Sequence, residues 1–431
     1  MLYLQKNVKH LFLCSILSII SKGVSPMELK SYKLKENIYW VGTIDYDLKV
    51  FDIIMETEFG STYNSYIVKG DKKTALIDTA KAPFNQELFE RIEDIIDILD
   101  IDYLIVNHAE PDHSGCVENL LQKNPDIEIW GSTPAIMNLK EIVNQNFKFH
   151  RVKEGERLSL GNKTLEFTLQ PNLHWPDTMF TYLIEDNCLF TCDFFGAHYA
   201  FDGVISDNLQ NISDYDRSLK EYFDAIMSPF LSSVRRGIAK VKEYNPNLIC
   251  TSHGAVLQGN YISKAINLYE VWSQENSNEI PLVVIPYASA YQYTKRMAEV
   301  IRQAIVQEYN GNVEVELYDL IDAKVEEVVS RIKRSDGFLI GSATIVRDTV
   351  KTVWEILAEL NYEVLKGKIS SAFGSYGWSG EAVDNIIQRL EQLKMKPLKG
   401  LKIKFKPSVT QEQEIYDYGV KFAKELKELK K

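Results

Sequence analysis

Three ligand-type side chains alternate over five residues of this chain: His108, Glu110 and Asp112, in the run N-H-A-E-P-D-H-S-G. Three more, His174, Asp193 and His253, each come shortly after an apolar run. Imidazole and carboxylate together suit a redox-capable metal such as iron. With His113 the set exceeds what one four-coordinate zinc needs and matches two metals sharing a carboxylate. The chain has seven histidines, and His108, His113, His174, His198 and His253 all lie in or beside these loops, which a random scatter would not produce. The chemistry expected is that of a dinuclear metal enzyme.

Such a set works only if the chain folds it together. Short apolar or β-branched runs at 38–41, 63–68 and 74–77 read as strands separated by turn residues such as Gly70-Asp71. A helix is expected over 86–99, then a buried strand over 103–106 with His108 at its C-terminal end, where loops carry chemistry. Ser114 is placed to cap a helix over 117–123. Strands recur at 128–130, 164–169, 180–184, 189–191 and 248–251, and His174, Asp193 and His253 follow strands as His108 does. Residues at strand ends can converge on one edge of a sheet sandwich.

Near 272–280 the chain turns polar and aperiodic, as a linker would. Beyond it strands at 282–286, 313–318, 337–340, 369–373 and 401–406 alternate with helices, two of them over 294–308 and 382–393. That rhythm implies a doubly wound parallel sheet. After its first strand come Ser289, Ala290, Tyr291, Gln292, Tyr293 and Thr294, a hydroxyl-bearing loop at a helix start, which suits a phosphate. Two further loops follow later strands: Ser342, Ala343, Thr344 and Ile345, then Ser375, Tyr376, Gly377 and Trp378. A flavodoxin-like sheet binds FMN at this edge. Tyr376 and Trp378 are candidates to flank the isoalloxazine, and Gly374 and Gly377 to let backbone approach it.

Composition sets the outer bounds. A length of 431 residues suggests two domains, and 45% hydrophobic residues suit a proper core. A net charge of -11 argues against a general nucleic-acid binder. Five scattered cysteines without C-x-x-C pairs read as reduced cytosolic thiols and exclude an iron–sulfur or rubredoxin-type module in this chain. Residues 1–26 resemble a short signal peptide, too short to span a bilayer as a helix; an upstream extension with Met27 as the true start is preferred. The expected location is the cytoplasm, with no membrane association. The lysine-rich stretch 394–406 is read as a strand with solvent-facing lysines and buried Ile403 and Phe405, in preference to a docking patch for an acidic carrier.

The motifs H-x-E-x-D-H, H-W-P-D-T-M (174–179), D-F-F-G-A-H (193–198) and S-H-G (252–254) resemble the flavodiiron proteins, also called A-type flavoproteins. The resemblance covers the chain from about Met27 onward. It implies an α/β chain: an αββα metallo-β-lactamase-like di-iron domain (27–273), a linker (274–280) and a flavodoxin-like FMN-binding domain (281–431). It implies His108, Glu110 and His174 on one iron, Asp112 and His253 on the other, and Asp193 bridging. His113 is left either as a ligand of the second iron or turned away in favour of water. Hydrolases of this fold show H-x-H-x-D-H; Glu110 replaces the second His, and a hard anionic oxygen there favours iron over zinc. Trp175 is a candidate to shield the site, and His198 and Tyr199 to support the ligands. Three positions depart from the family pattern. Asp52 stands where members often carry a His near the irons, Tyr293 where a small hydroxyl residue is common, and Ala343 where a Pro is frequent.

The activity implied is reduction of dioxygen to water, of nitric oxide to nitrous oxide, or both, with FMN relaying electrons from an external donor: a rubredoxin, a ferredoxin or a reduced deazaflavin. A head-to-tail homodimer, or a dimer of dimers, is implied as well. Two other classes stay open: a zinc-dependent hydrolase with an accessory flavodoxin domain, and an electron carrier or signalling protein with a vestigial metal site.

Overall fold

The computed structural model describes residues 30–53, 55–274 and 278–430, and the expected N-terminal extension lies outside them. The chain divides into two compact units between Gln274 and Glu275.

The first unit is built on two sheets. One runs Tyr32–Lys35, Ile38–Trp40, Tyr66–Lys69, Thr74–Ile77, Tyr103–Val106, Glu128–Gly131 and Lys148–Arg151 in spatial order. The other runs Arg157–Ser159, Thr164–Leu169, Met179–Leu183, Cys188–Cys192, Leu248–Thr251 and Leu257–Gln258. Alternation sends successive side chains to opposite faces. Ile67, Leu76 and Leu104 of the first sheet therefore pack with Leu88, Leu120 and Leu139 of three helices. Ile38, Ile77 and Ile105 meet Leu165, Phe167 and Phe190 of the second sheet. Phe180, Leu189 and Ile249 face Leu219, Ile238 and Tyr269 of helices on the far side. The result is an αββα sandwich.

The second unit is a five-stranded sheet in the order Glu314–Asp319, Leu282–Ala288, Gly337–Ser342, Ile369–Tyr376 and Leu401–Lys404, all parallel. In chain order this is 2-1-3-4-5, the flavodoxin arrangement. Leu282 and Val284 face one helix layer, Val283 and Ile285 the other. A strand buried on both faces reads as a continuous apolar run.

Several elements differ from expectation. The helix expected over 86–99 is Asn85–Glu93, and a 3-10 turn, Ile98–Asp100, follows. Ser114 does not cap Val117–Lys123: its hydroxyl donates back to the Ala109 and Glu110 carbonyls, closing the short helix Pro111–Ser114. Phe405 is 55% exposed. Its φ of 57° breaks the alternation after Lys404, so only Ile403 of the expected pair is buried. The helix Val409–Leu429, opened by a Ser408–Gln411 capping box, had no counterpart in the sequence reading.

Candidate metal centre

The strand ends of the two sheets supply the loops of the site. His108 follows Tyr103–Val106, and Glu110, Asp112 and His113 line the turn and short helix beyond it. His174 lies in the loop before Met179–Leu183, Asp193 follows Cys188–Cys192, and His253 follows Leu248–Thr251. The pairing of Cys188–Cys192 with Leu248–Thr251 slips between Phe190 and Cys192, where Cys192 has a φ of 52°. Such a bulge re-aims the next side chain, here Asp193.

All seven candidate residues come together. His108, Glu110, His174 and Asp193 offer ligand atoms within 4.8 Å of one another, and so do Asp112, His113 and His253. Asp193 faces both groups. Its Oδ2 lies 3.3 Å from His174 Nε2 and 3.7 Å from His108 Nε2. Its Oδ1 lies 3.0 Å from His113 Nε2 and 3.4 Å from His253 Nε2. His113 is thus turned toward Asp193 and Asp112. Six of the seven are buried, and His174 is nearly so.

Outer contacts set which ring nitrogen faces inward. His108 Nδ1 pairs with Asp177 Oδ1 at 3.0 Å, and His253 Nδ1 donates to the Thr62 carbonyl at 2.6 Å. Both leave Nε2 pointing at the carboxylates. Burial opposes charge on His174, but the hydrogen bonds it donates to Asp193 and Glu110 outweigh it and push the imidazole up to about 9. At His253 the same contest against Asp112 and Asp193 ends at about 10. Burial works against the Asp193 carboxylate too, and the surrounding imidazoles, His113 foremost, hold it well below its usual range. Without a metal, the site thus pairs protonated imidazoles with ionised carboxylate. Apart from the His253 and His113 rings at 3.1 and 3.3 Å, neither buried carboxylate oxygen of Asp112 has a hydrogen-bond partner among the described residues. A buried carboxylate left without donors is costly unless a cation sits on it. The donor set fits a metal pair.

Around the ligands, Trp175 packs edge-on against His108 with centroids 5.0 Å apart. His198 shares a hydrogen bond with Ser61 Oγ at 2.8 Å, and burial holds its imidazole well below the usual range, hence neutral. Tyr199 packs on Phe59 and Tyr215 and supports no ligand directly. Asp52, one of the three departures noted in the sequence, shares a hydrogen bond with Glu110 and is pushed up to about 6, first by burial and then by Glu110. The sequence reading missed Asp177, although it lies three residues after His174 in the quoted motif. It also missed Tyr222, whose hydroxyl donates to Asp193 Oδ1 at 3.0 Å. Tyr222 ends an amphipathic helix and reads as an ordinary core residue.

In the second unit the three expected loops lie at the C-terminal ends of Leu282–Ala288, Gly337–Ser342 and Ile369–Tyr376. Thr294 Oγ1 and Ser375 Oγ are 2.9 Å apart and buried, and the Thr344 amide donates to the Ser375 carbonyl. Ser342 Oγ accepts from Thr349, Ser289 Oγ accepts from the Lys295 amide, and Ala343 is buried. Ala290, Gln292 and Ile345 are exposed, while Tyr293, Tyr376 and Gly377 are half-buried. Tyr291 is 79% and Trp378 92% exposed. Bare aromatic rings beside a helix start suit a planar phosphorylated cofactor. Gly374 serves a different purpose from the one expected: a Cβ there would collide with the Ser342 carbonyl of the neighbouring strand.

Comparison with known proteins agrees with this architecture. Residues 62–254 match the ODP family beta lactamase and residues 285–419 match flavodoxin, ranges that enclose the metal candidates and the flavin loops respectively. The Flavo-diiron protein FprA2 of Clostridium acetobutylicum is 37% identical over 92% of this chain and 100% of its own length. The anaerobic nitric oxide reductase flavorubredoxin of Vibrio vulnificus is 34% identical over 91% of this chain and 79% of its own. Among solved structures, rubredoxin oxygen:oxidoreductase from the anaerobe Desulfovibrio gigas aligns with a TM-score of 0.67 and 28% identity, covering 93% of this chain and 99% of that one.

A metallo-β-lactamase-like unit with a carboxylate-rich dinuclear site, followed by a flavodoxin-like unit, defines a flavodiiron oxidoreductase. This chain belongs to the flavodiiron protein family, whose cofactors are FMN and a pair of non-haem irons. No helix among the described residues is long and apolar enough to cross a membrane.

Proposed function

We propose that the protein is a terminal reductase that takes electrons through FMN from a separate donor and delivers them to dioxygen or nitric oxide at the site around Asp193. The observation that carries this reading is the placement of Asp193, with one oxygen toward each of two buried ligand groups. His108, Glu110 and His174 would hold one iron, Asp112, His113 and His253 the other, with Asp193 shared between them. Glu110 in place of an imidazole favours iron over zinc and so disfavours the hydrolase reading. An iron pair held there would supply binding and polarisation of a small oxidised molecule.

The chain's own residues prepare that chemistry. Asp177 and Thr62 fix two imidazoles in the tautomer that presents Nε2 inward. Trp175, Phe51 and Tyr63 pack around His108 and His253 and limit water. In the flavin unit, the loop 289–294 would hold the phosphate, while Tyr376 and Trp378 would border the ring system. The relatives named above support both gases and a rubredoxin-type donor. A head-to-tail homodimer, with the flavin of one subunit near the irons of another, belongs to this reading, as does a cytoplasmic setting.

The test is metal and flavin content of anaerobically purified protein, followed by reduced-flavin-driven uptake of oxygen and of nitric oxide on the same sample. Two irons and one FMN per chain are expected. His108→Ala and Asp193→Ala should lose iron and reduce gas uptake at least 100-fold, by about the loss typical of removing a group the chemistry needs. Zinc in place of iron, with no gas uptake, would overturn the proposal and restore the hydrolase reading.

A further inference from the structure

The two ligand groups around Asp193 are supported differently. Asp177 is completely buried and spends both carboxylate oxygens on the 108–109 segment. Oδ1 pairs with His108 Nδ1 at 3.0 Å and Oδ2 accepts from the Ala109 amide at 2.8 Å. Its own carbonyl accepts from Ser132 Oγ at 2.7 Å, and Ser132 also caps the helix Thr133–Val143. The carboxylate is thus fixed in place behind one ligand of the first group.

Among the described residues no carboxylate is hydrogen-bonded behind the second group; the buried Asp78 carboxylate bonds to Asn107 and reaches His113 only through space. His253 Nδ1 has a neutral carbonyl, that of Thr62, with Ser61 Oγ at 3.4 Å. His113 Nδ1 is buried with no hydrogen-bond partner. A second observation points the same way. Tyr222 donates its hydroxyl proton to Asp193 Oδ1, the oxygen that faces His113 and His253. That bond draws charge from the shared carboxylate on the second side only. Beyond the His108 and His174 rings that it faces, Oδ2 has among the described residues only the weak Cys192 thiol at 3.9 Å.

An outer carboxylate raises the basicity of a ligating imidazole, and the effect of nearby charge is strong where water is excluded. We propose that Asp177 is a positioning residue that makes the two metal positions unequal, so that the position at His108, Glu110 and His174 binds its ion first and more tightly than the position at Asp112, His113 and His253. This inference rests on the dinuclear reading above and adds the order of filling.

Cobalt(II) is the probe: the metal-free full-length protein is titrated anaerobically and followed by visible absorbance. Two ions should bind in two resolved steps, and His174→Ala should remove the tighter one. Asp177→Asn keeps the side-chain shape, but an amide cannot accept from both the imidazole and the Ala109 N–H. The tighter step should weaken by about 10- to 100-fold while the weaker step holds. Tyr222→Phe should do the reverse, leaving the tighter step and strengthening the weaker one. A purely structural role for Asp177 would weaken both steps together, and that result overturns the inference, as do two wild-type steps of equal affinity. Uptake of a single ion, or none, would sink the dinuclear reading itself and the inference with it.

Discussion

At His174 and His253 the metal-free site holds protons that a metal must displace. Their imidazoles are pushed up to about 9 and about 10, and His108 is also raised well above its ordinary value by Asp177 and Glu110 after burial is overcome. At neutral pH metal uptake should therefore release protons from these rings. A lightly buffered titration with a pH indicator checks this; uptake without acidification would contradict it. The sign for folding follows from the same shifts. Imidazoles raised above their unfolded value stabilise the metal-free protein fully below about pH 6.5 and lose that stabilisation as pH rises through about 9 to 10. Thermal melts of metal-free protein should fall between pH 7 and pH 10, whereas the metal-loaded protein, with its imidazoles already neutral, should not show that loss.

At the scale of elements, strand ends and the turns after them decide the geometry. Asp78 follows Thr74–Ile77 in a left-handed conformation and accepts from the Asn107 amide and side chain. Asn107 in turn accepts from Thr181 of the second sheet at 2.6 Å, so this network ties together the edges that carry His108 and Asp193. Gly254, directly after His253, has a φ of 75°, and a Cβ there would lie 2.8 Å from the Ala197 carbonyl. Gly254→Ala should cost about 1–3 kcal/mol in unfolding free energy and weaken metal retention through His253. A variant with unchanged melting and metal content would refute that account. In the flavin unit, Gly374→Ala should push apart Gly337–Ser342 and Ile369–Tyr376, reducing FMN retention while iron content stays at the wild-type level.

At the scale of the whole chain, each described core cluster lies within one of the two units. Unfolding should therefore show two calorimetric transitions. Ile340→Ala empties a position in the flavin-unit core and should lower only one transition, by about 2–5 kcal/mol of stability. A single transition that moves as a whole would show the units to be coupled.

The sequence by itself determined the ligand types, their spacing and their position after apolar runs, because strand periodicity and loop placement are local properties. It also determined the alternating second unit, since strands buried on both faces appear as apolar runs such as Leu282–Ala288. Tertiary structure alone decided the rest. Only the packed sheets show that His113 turns toward Asp193, that Asp177 stands behind His108 and that Tyr222 reaches Asp193 Oδ1. Those contacts join residues from 29 to 80 positions apart. Their partners are chosen by how the layers pack, which no local pattern records. Ser114 and Phe405 were misread for a related reason: a hydroxyl found carbonyls nearer than the next helix, and a left-handed residue ended an alternation that composition alone would have continued.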